Sequence, residues 1–456
     1  MSSITTKVDK LKETFLKQGG FAAGLRKERL KQLKKVIAAK EALISKALLL
    51  DLGKSEFESY VSEVGFILEE LSFIRKNIDD WMAPKRVPTP LSLLPGKSVI
   101  YSEPHGVVLV IAPWNYPFQL CLSPLIGAIA AGNRVVVKPS EIASQTSLII
   151  QEIIEDVFEE DEVVVIQGAV EETTELLKQR YDYIFFTGST AVGKVIMKAA
   201  AEHLTPVTLE LGGKSPCLID ESADLSTAAK RIVWGKFLNA GQTCVAPDYI
   251  LIHESLKESF IEKFKQTLHD FFGSDIKQSS DYPRIINHKN FDRLISMIDP
   301  SKVKVGGDHD REGRYIAPTL VDNIEWTDKI MEDEIFGPLL PVITFKELND
   351  IIPKILERPR PLALYFFGED ESAQDLILDR IPFGGGCVND TVIHLANPHL
   401  PFGGTGHSGV GSYHGEKSFL TFSHQKSVFK QMNKVDIPLR YPPYKGKLNW
   451  IKFFIG

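Results

Sequence analysis

Cysteine is scarce in this 456-residue chain: the four residues, Cys121, Cys217, Cys244 and Cys387, lie far apart and without metal-ligand spacing. That scarcity excludes a disulfide framework and gives no support to structural zinc or another metal site; it fits reduced thiols. Long apolar runs are missing as well, since none approaches the roughly 20 residues of a membrane span. The opening residues, Met1-Ser2-Ser3-Ile4-Thr5-Thr6-Lys7, lack the apolar core of a secretory signal. A cytoplasmic protein with no membrane span is expected. Nor is there an excess of positive charge, because 53 basic residues face 59 acidic ones for a net charge of −6. Nucleic acid is therefore not an expected partner. Internal repeats and low-complexity segments are absent.

What is there is a soluble globular composition, 43% hydrophobic and 25% charged. A chain this long is expected to split into two or three domains. Over 8–81 apolar residues recur at helical spacing, as in Leu30, Leu33 and Ile37 and then Val61, Val64, Ile67, Leu71 and Ile74. Pro84, Pro88, Pro90, Pro95 and Pro104 then forbid a helix and mark a connector, with a strand expected near Ser98-Val99-Ile100-Tyr101-Ser102. β-branched runs alternating with helical segments follow: Val107-Val108-Leu109-Val110-Ile111-Ala112, Arg134-Val135-Val136-Val137-Lys138, Val163-Val164-Val165-Ile166-Gln167 and Tyr183-Ile184-Phe185-Phe186. Near-continuous apolar strands of this kind need helices on both faces, which predicts a parallel, doubly wound α/β sheet with ligands at the carboxyl ends of its strands. A second α/β block is expected from Tyr249-Ile250-Leu251-Ile252, Leu339-Leu340-Pro341-Val342-Ile343 and Leu362-Ala363-Leu364-Tyr365-Phe366-Phe367. Phe383-Gly384-Gly385-Gly386 and Phe402-Gly403-Gly404 read as tight turns. The apolar tail from Leu448 to Gly456 is too short to cross a bilayer and is expected to dock on the protein itself.

Chemistry centres on Asn239-Ala240-Gly241-Gln242-Thr243-Cys244-Val245-Ala246-Pro247-Asp248, where small and amide residues leave room beside a sulfur. A cysteine can equally pack as a small hydrophobe, and this decapeptide alone does not choose. Cys244 also lacks a local histidine partner, His253 being nine positions on (253 − 244). That leaves a Cys/His hydrolase without local support and favours assistance from a carboxylate.

Other stretches break the tie. Pro113-Trp114-Asn115-Tyr116-Pro117, Phe186-Thr187-Gly188-Ser189-Thr190-Ala191-Val192-Gly193, Glu210-Leu211-Gly212-Gly213-Lys214-Ser215-Pro216, Glu334-Ile335-Phe336-Gly337-Pro338 and Leu400-Pro401-Phe402-Gly403-Gly404 through Ser412-Tyr413-His414-Gly415 occur in this order. Together with the cysteine stretch they cover nearly the whole chain, which resembles the aldehyde dehydrogenase superfamily and, within it, the class 3 fatty or aromatic aldehyde branch. The resemblance implies a doubly wound Rossmann-like cofactor domain, a second α/β catalytic domain and a small bridging or oligomerisation arm. It also implies that Cys244 is the nucleophile, Glu210 the general base and Asn115 an oxyanion donor. Glu334 would bind the nicotinamide ribose with Phe336 packed nearby, and Lys138 and Glu141 would contact the adenosine ribose. Gly188, Ser189, Gly193 and Leu211 would lie beside the dinucleotide. The loop Gly188 to Gly193 is not the full G-x-G-x-x-G fingerprint, so its weight comes from the family's variant. A carboxylate at Glu141 would accept from a 2′-OH and repel a 2′-phosphate, which favours NAD, with NADP as a second cofactor. Tyr116, Trp234 and His394 are candidates for lining the aldehyde pocket.

The domain division expected on these grounds is residues 1–83 and 107–211 for NAD(P) binding, 84–106 and 416–440 for bridging, 212–415 for catalysis, and 441–456 as a tail. The expected activity is NAD(P)-dependent oxidation of a medium- or long-chain aliphatic or aromatic aldehyde to the carboxylate, by a homodimer. Two alternatives stand beside it: a CoA-acylating aldehyde dehydrogenase, and a non-catalytic cofactor-binding protein.

Overall fold

A computed structural model describes residues 3–436 and 438–455, leaving Met1, Ser2, Ile437 and Gly456, at the ends of the expected segments and within the second bridging stretch, outside the described residues. Three main sheets organise the chain. The first has six strands in the order Gly409–Val410, Val207–Leu211, Tyr183–Gly188, Val107–Ile111, Arg134–Lys138 and Val163–Val165. All pairings are parallel except that of the Gly409–Val410 edge strand. From Val107–Ile111 the chain first adds strands on one side and then returns to add them on the other, the reversal that opens a crevice at the carboxyl ends of a doubly wound sheet.

Side chains on successive positions take opposite faces. Val108, Val110, Val135 and Val137 thus join the core shared with the helix Gln119–Ala131, while Val107, Leu109, Ile111 and Val136 pack under the helices Ile4–Gln18 and Thr190–Ala201. Every residue of Gln119–Ala131 is buried. Each fully buried Val, Leu or Ile in such a layer contributes about 1.5–3 kcal/mol, and a sheet buried on both faces needs the uninterrupted apolar runs seen in the sequence.

The second sheet has seven strands in the order Val303–Val305, Thr319–Val321, Leu339–Phe345, Tyr249–His253, Pro216–Ile219, Ala363–Phe367 and Gly385–Val388. The proline-rich connector holds Lys85–Val87 and Lys97–Pro104, which form an antiparallel three-stranded sheet with Ser423–Lys430. A helix over Leu448–Ile455 follows at the end of the chain and packs beside the turn Leu91–Leu93.

Some local expectations give way. The Gly384 to Gly386 stretch is not a turn: Gly385 begins a strand, and a Cβ on Gly386 would lie 2.0 Å from the Leu364 carbonyl oxygen, so glycine serves close strand approach. The helix after the strand Tyr183–Gly188 begins at Thr190, where Ser189 caps it by accepting from the Val192 N–H at 3.4 Å. Gly409–Val410 lies beyond residue 211 in sequence, yet it closes the edge of the first sheet against Leu209 and Glu210.

Candidate active site

Two loops meet below the carboxyl end of the first sheet. One leaves the strand Val107–Ile111 and carries Asn115 and Tyr116; the other runs from the helix Leu225–Phe237 to the strand Tyr249–His253 and carries Cys244. Three successive residues of the second loop, Asn239, Ala240 and Gly241, have left-handed backbone, with φ of 53°, 52° and 74°. Such a run is costly for residues bearing a Cβ and persists only where surroundings fix it. Those surroundings are explicit. The Asn239 main-chain N–H donates to Glu58 at 2.8 Å, Gln242 Nε2 donates to the Asn239 and Arg284 carbonyls at 3.0 Å each, and Gln242 Oε1 accepts from the Ile286 N–H at 2.9 Å. Tyr365, from the second sheet, donates its hydroxyl to the Val245 carbonyl at 2.6 Å.

The loops are tied to each other as well. Asn115 Nδ2 donates to the Gln242 carbonyl at 3.1 Å, leaving its second N–H for another acceptor, and the Asn239 amide donates to the Asn115 carbonyl at 2.7 Å. Asn115 is buried, whereas Cys244 is only partly buried.

Glu210 lies one residue before the end of its strand, in register with Thr187 on the neighbouring strand. It is 1% exposed, and no hydrogen bond of ordinary geometry reaches either carboxylate oxygen. Burial therefore raises its pKa to about 7, although the nearby Cys244 thiol and Thr187 hydroxyl pull it down. Burial also raises the Cys244 thiol pKa well above the ordinary thiol range, and the Glu210 and Glu334 carboxylates push it further up. The resting pair is thus a thiol facing a carboxyl poised near neutrality, so the group equipped to take the thiol proton is Glu210.

Glu334 approaches from the second sheet's side. A Cβ added to Gly212 would lie 1.9 Å from a Glu334 carboxylate oxygen, so a larger residue there would push the Glu334 side chain out of its place beside the end of the Glu210 strand. Glu334 Oε1 is buried without a partner, and burial, then Asp248, raises its pKa well above the usual carboxylate range. Phe336 has φ 51° and meets Trp114 edge-on at 5.3 Å between ring centres.

The expected dinucleotide contacts sit along the same carboxyl edge of the first sheet. Lys138 ends its strand buried, with its ammonium donating to the Pro139 carbonyl at 2.8 Å and to Glu141 at 3.2 Å. Glu141 itself is exposed. Ser189 is exposed at the N-terminus of the 12-residue helix Thr190–Ala201, where free N–H groups favour a phosphate. Gly193 lets this helix lie against Leu211, whose side chain a Cβ would meet at 2.7 Å. An exposed helix N-terminus, an exposed carboxylate for a ribose and an orphaned buried carboxylate oxygen on Glu334 make a donor and acceptor set that fits a dinucleotide. No group of three or more His, Cys, Asp or Glu among the described residues could hold a metal ion.

Of the candidate pocket residues, Tyr116 is buried and shares a 2.6 Å hydrogen bond with the Thr243 hydroxyl, next to the nucleophile candidate. Trp234 is exposed on the helix Leu225–Phe237, beside the 389–395 loop that Thr391 ties to the Arg231 carbonyl at 2.7 Å. His394 lies on that loop, 3.5 Å from the Cys387 sulfur through Nδ1, and burial lowers its pKa to about 4. Its imidazole is therefore neutral at pH 7.

Sequence reading passed over Tyr413, Thr187 and Lys236. Tyr413 is buried with an unpartnered hydroxyl and feels both the Glu210 carboxylate and the Cys244 thiol. The bridge between Phe402 and Tyr413 brings it there, a pairing that no local pattern announces. Lys236 is fully buried, its amine unpartnered and its pKa lowered to about 8 by burial, with Asp248 and Glu334 opposing. Its position on an amphipathic helix gave no signal.

Known proteins share this arrangement of sheets. The profile of the aldehyde dehydrogenase family matches residues 3–428. The 4,4'-diaponeurosporen-aldehyde dehydrogenase of Staphylococcus aureus (strain NCTC 8325 / PS 47) is 49% identical over 431 residues, covering 94% of each chain. The "Aldehyde dehydrogenase, dimeric NADP-preferring" of Rattus norvegicus is 46% identical over 450 residues, 98% of this chain and 99% of its own. A solved structure of the substrate-bound state of Staphylococcus aureus AldH superposes with a TM-score of 0.98 at 48% identity, covering 100% of both chains. A family match of this extent, on a fold this closely shared, makes the chain a member of the aldehyde dehydrogenase family.

Proposed function

We propose that the chain oxidises an aldehyde to its carboxylate, with NAD as the electron acceptor and NADP as a second one, through Cys244, Asn115 and Glu210. The observation that carries this reading is the meeting of a free thiol, a spare amide N–H and a buried carboxyl with a pKa near 7. The Cys244 sulfur adds to the carbonyl carbon as its proton passes to Glu210. The alkoxide that forms accepts from Asn115 Nδ2 and the Cys244 main-chain N–H, each such donor being worth about 3 kcal/mol of barrier. A nicotinamide dinucleotide held there would supply the two-electron acceptor needed for the adduct to become a thioester. Glu210 releases the thiol proton to solvent before water attacks the thioester carbon; it then takes the water proton and passes it to the departing sulfur, so that the Cys244 thiol is restored and the acid leaves as its carboxylate with a second proton lost to solvent. Burial suits Glu210 to this task, because a base near pH 7 is neither spent nor too weak.

The cofactor would lie along Lys138, Glu141, Gly188, Ser189, Gly193 and Leu211, with Glu334 and Phe336 at the ribose nearest the thiol. Glu141 favours a free 2′-OH, but its pairing with Lys138 offsets part of its charge, and the rat relative's NADP-preferring name fits a site that takes both. Tyr116, Trp234 and His394 wall the aldehyde entrance. Together with the exposed Ile393 they suit medium- or long-chain aliphatic or aromatic aldehydes, and the staphylococcal relative's name points to a large apolar aldehyde.

We assign residues 1–83 and 107–211 to cofactor binding, with the edge strand Gly409–Val410 added. Residues 212–415 otherwise carry catalysis and 84–106 and 416–440 form a bridging arm. The word "dimeric" in the rat relative's name and the free edge of the Ser423–Lys430 strand among the described residues support a homodimer. No helix among the described residues is long and apolar enough to cross a membrane.

The test is Cys244→Ala with benzaldehyde and hexanal as substrates and NADH absorbance as the readout. Turnover should vanish while NAD still binds; appreciable remaining oxidation overturns the scheme. Product analysis with and without CoA separates carboxylate release from acyl transfer to CoA.

A further inference from the structure

The helix that begins at Glu56 does not run uniformly. It starts as Glu56–Ser59, widens into a π-helical turn over Tyr60–Val64 and continues as Gly65–Met82. Such a turn inserts a residue, re-aims the side chains that follow it and recurs at functional sites. Here it sits directly before and within a set of buried charges that the mechanism above does not use.

Glu63, inside the wide turn, and Lys54, just before the helix, form an ion pair at 2.5 Å with both side chains fully buried. Neither charge is spent on the other alone. Glu63 Oε2 accepts from the main-chain N–H groups of Phe118 and Gln119 at 2.8 and 3.1 Å, where the helix Gln119–Ala131 begins after the Asn115 loop. Lys54 Nζ donates to the Asn115 carbonyl at 3.3 Å and lies 3.9 Å from the centre of the Tyr116 ring. Glu58, one turn earlier, accepts from the Asn239 N–H at 2.8 Å and so holds the first of the left-handed residues that lead to Cys244. Buried charges cost several kcal/mol each unless fully paired and hydrogen-bonded. This set is held in place by main-chain groups of the two loops that carry the reacting side chains.

We propose that Lys54, Glu58 and Glu63 are positioning residues that clamp the Asn115 loop and the Cys244 loop to one helical turn, keeping the amide donor and the sulfur aligned on a single carbonyl group. The inference rests on the reading of Cys244 and Asn115 given above. Tyr116 Oη, bonded to the Thr243 hydroxyl at 2.6 Å, closes the frame between the same two loops. Geometry of this kind matters because a misplacement of about 1 Å in a near-attack arrangement can cost roughly 100-fold in rate.

The test uses the full-length enzyme with benzaldehyde and NAD. The double variant Lys54→Met/Glu63→Gln removes both members of the ion pair together and keeps an acceptor for the Phe118 and Gln119 amides. Its kcat should fall roughly 10- to 100-fold while the NAD dissociation constant, read by tryptophan quenching, stays within twofold. Placed on Asn115→Ala, the same pair of changes should cost less than about twofold, because misalignment of a donor already removed has no further effect. A kcat within twofold of the parent, or an undiminished loss in the Asn115→Ala background, overturns the proposal. Should that variant fail to fold, Glu58→Gln against Glu58→Leu decides: Gln keeps an acceptor for the Asn239 N–H and should retain rate, Leu should lose it, and equal rates refute the clamp. Cys244→Ala run alongside separates the two levels, since activity there sinks the chemistry and inactivity there with a normal clamp variant sinks only the clamp.

Discussion

Replacing Glu210 by Gln should make the protein more stable at alkaline pH and unable to complete turnover. The carboxyl titrates at about 7 rather than 4.5 because it is buried and neither oxygen has a hydrogen-bond partner. A raised carboxyl pKa means the folded protein binds more protons than the unfolded chain between these values. Stability from this group is therefore complete below the unfolded pKa and declines as pH rises toward 7. Integrating two-state titration between pH 5 and pH 8.5 gives a loss of about 2.5 kcal/mol in the parent that Gln cannot suffer. With an unfolding entropy of roughly 1 kcal/mol/K for a chain of this length, that is about 3 °C in melting temperature. Any cost of burying the Gln amide is the same at both pH values and cancels in the comparison. The assay is a melting curve of each protein at the two pH values, paired with rapid-mixing NADH absorbance. Gln should form NADH slowly, because the thiol proton has lost its acceptor, reach at most one NADH per active site and then stall at the thioester. It should also lower the pH at which iodoacetamide alkylates Cys244, because the Glu210 charge is among the causes that hold the thiol up. A melting difference independent of pH, or an unchanged steady-state rate, would refute the reasoning.

Asn115→Ala should lower kcat by roughly 100-fold, the value of one oxyanion donor, with little change in NAD affinity; steady-state kinetics on benzaldehyde measure it. Gly241→Ala places a Cβ 2.3 Å from the Gly337 carbonyl oxygen at a residue with φ 74°; activity should be lost and alkylation of Cys244 altered, and normal kinetics would count against the fixed loop. Glu141→Gln removes the carboxylate that would face a 2′-phosphate on the proposed reading, so kcat/KM for NADP should rise relative to NAD, by about 10-fold if one charge repulsion of roughly 1.4 kcal/mol is relieved.

Elements and their order were legible wherever side-chain period reports burial. The runs at Val107 and Arg134 are apolar without alternation because both faces of their sheet are covered, and that alone implied parallel strands with helices above and below. The motif residues Asn115, Glu210 and Cys244 were legible as types, since each is a polar or reactive group set among prolines, glycines or small residues. What escaped was anything fixed by contacts distant in sequence. Nothing around Gly409 says that it pairs with Glu210, and nothing around Tyr413 says that its hydroxyl ends beside the same carboxylate and thiol. Helical spacing over 56–82 gave no sign of the wide turn at Tyr60–Val64, because a single inserted residue barely disturbs a period of 3.6. The glycines at 384–386 read as a turn when one of them serves close approach of strands. Local pattern thus determined most of the elements and the family and singled out the candidate reactive side chains, because backbone geometry and exposure act over a few residues. Only tertiary structure decided protonation, alignment and reach: desolvation raises the pKa of Glu210 to about 7, and a clamp of buried charges holds two loops together, both being properties of surroundings assembled from far along the chain.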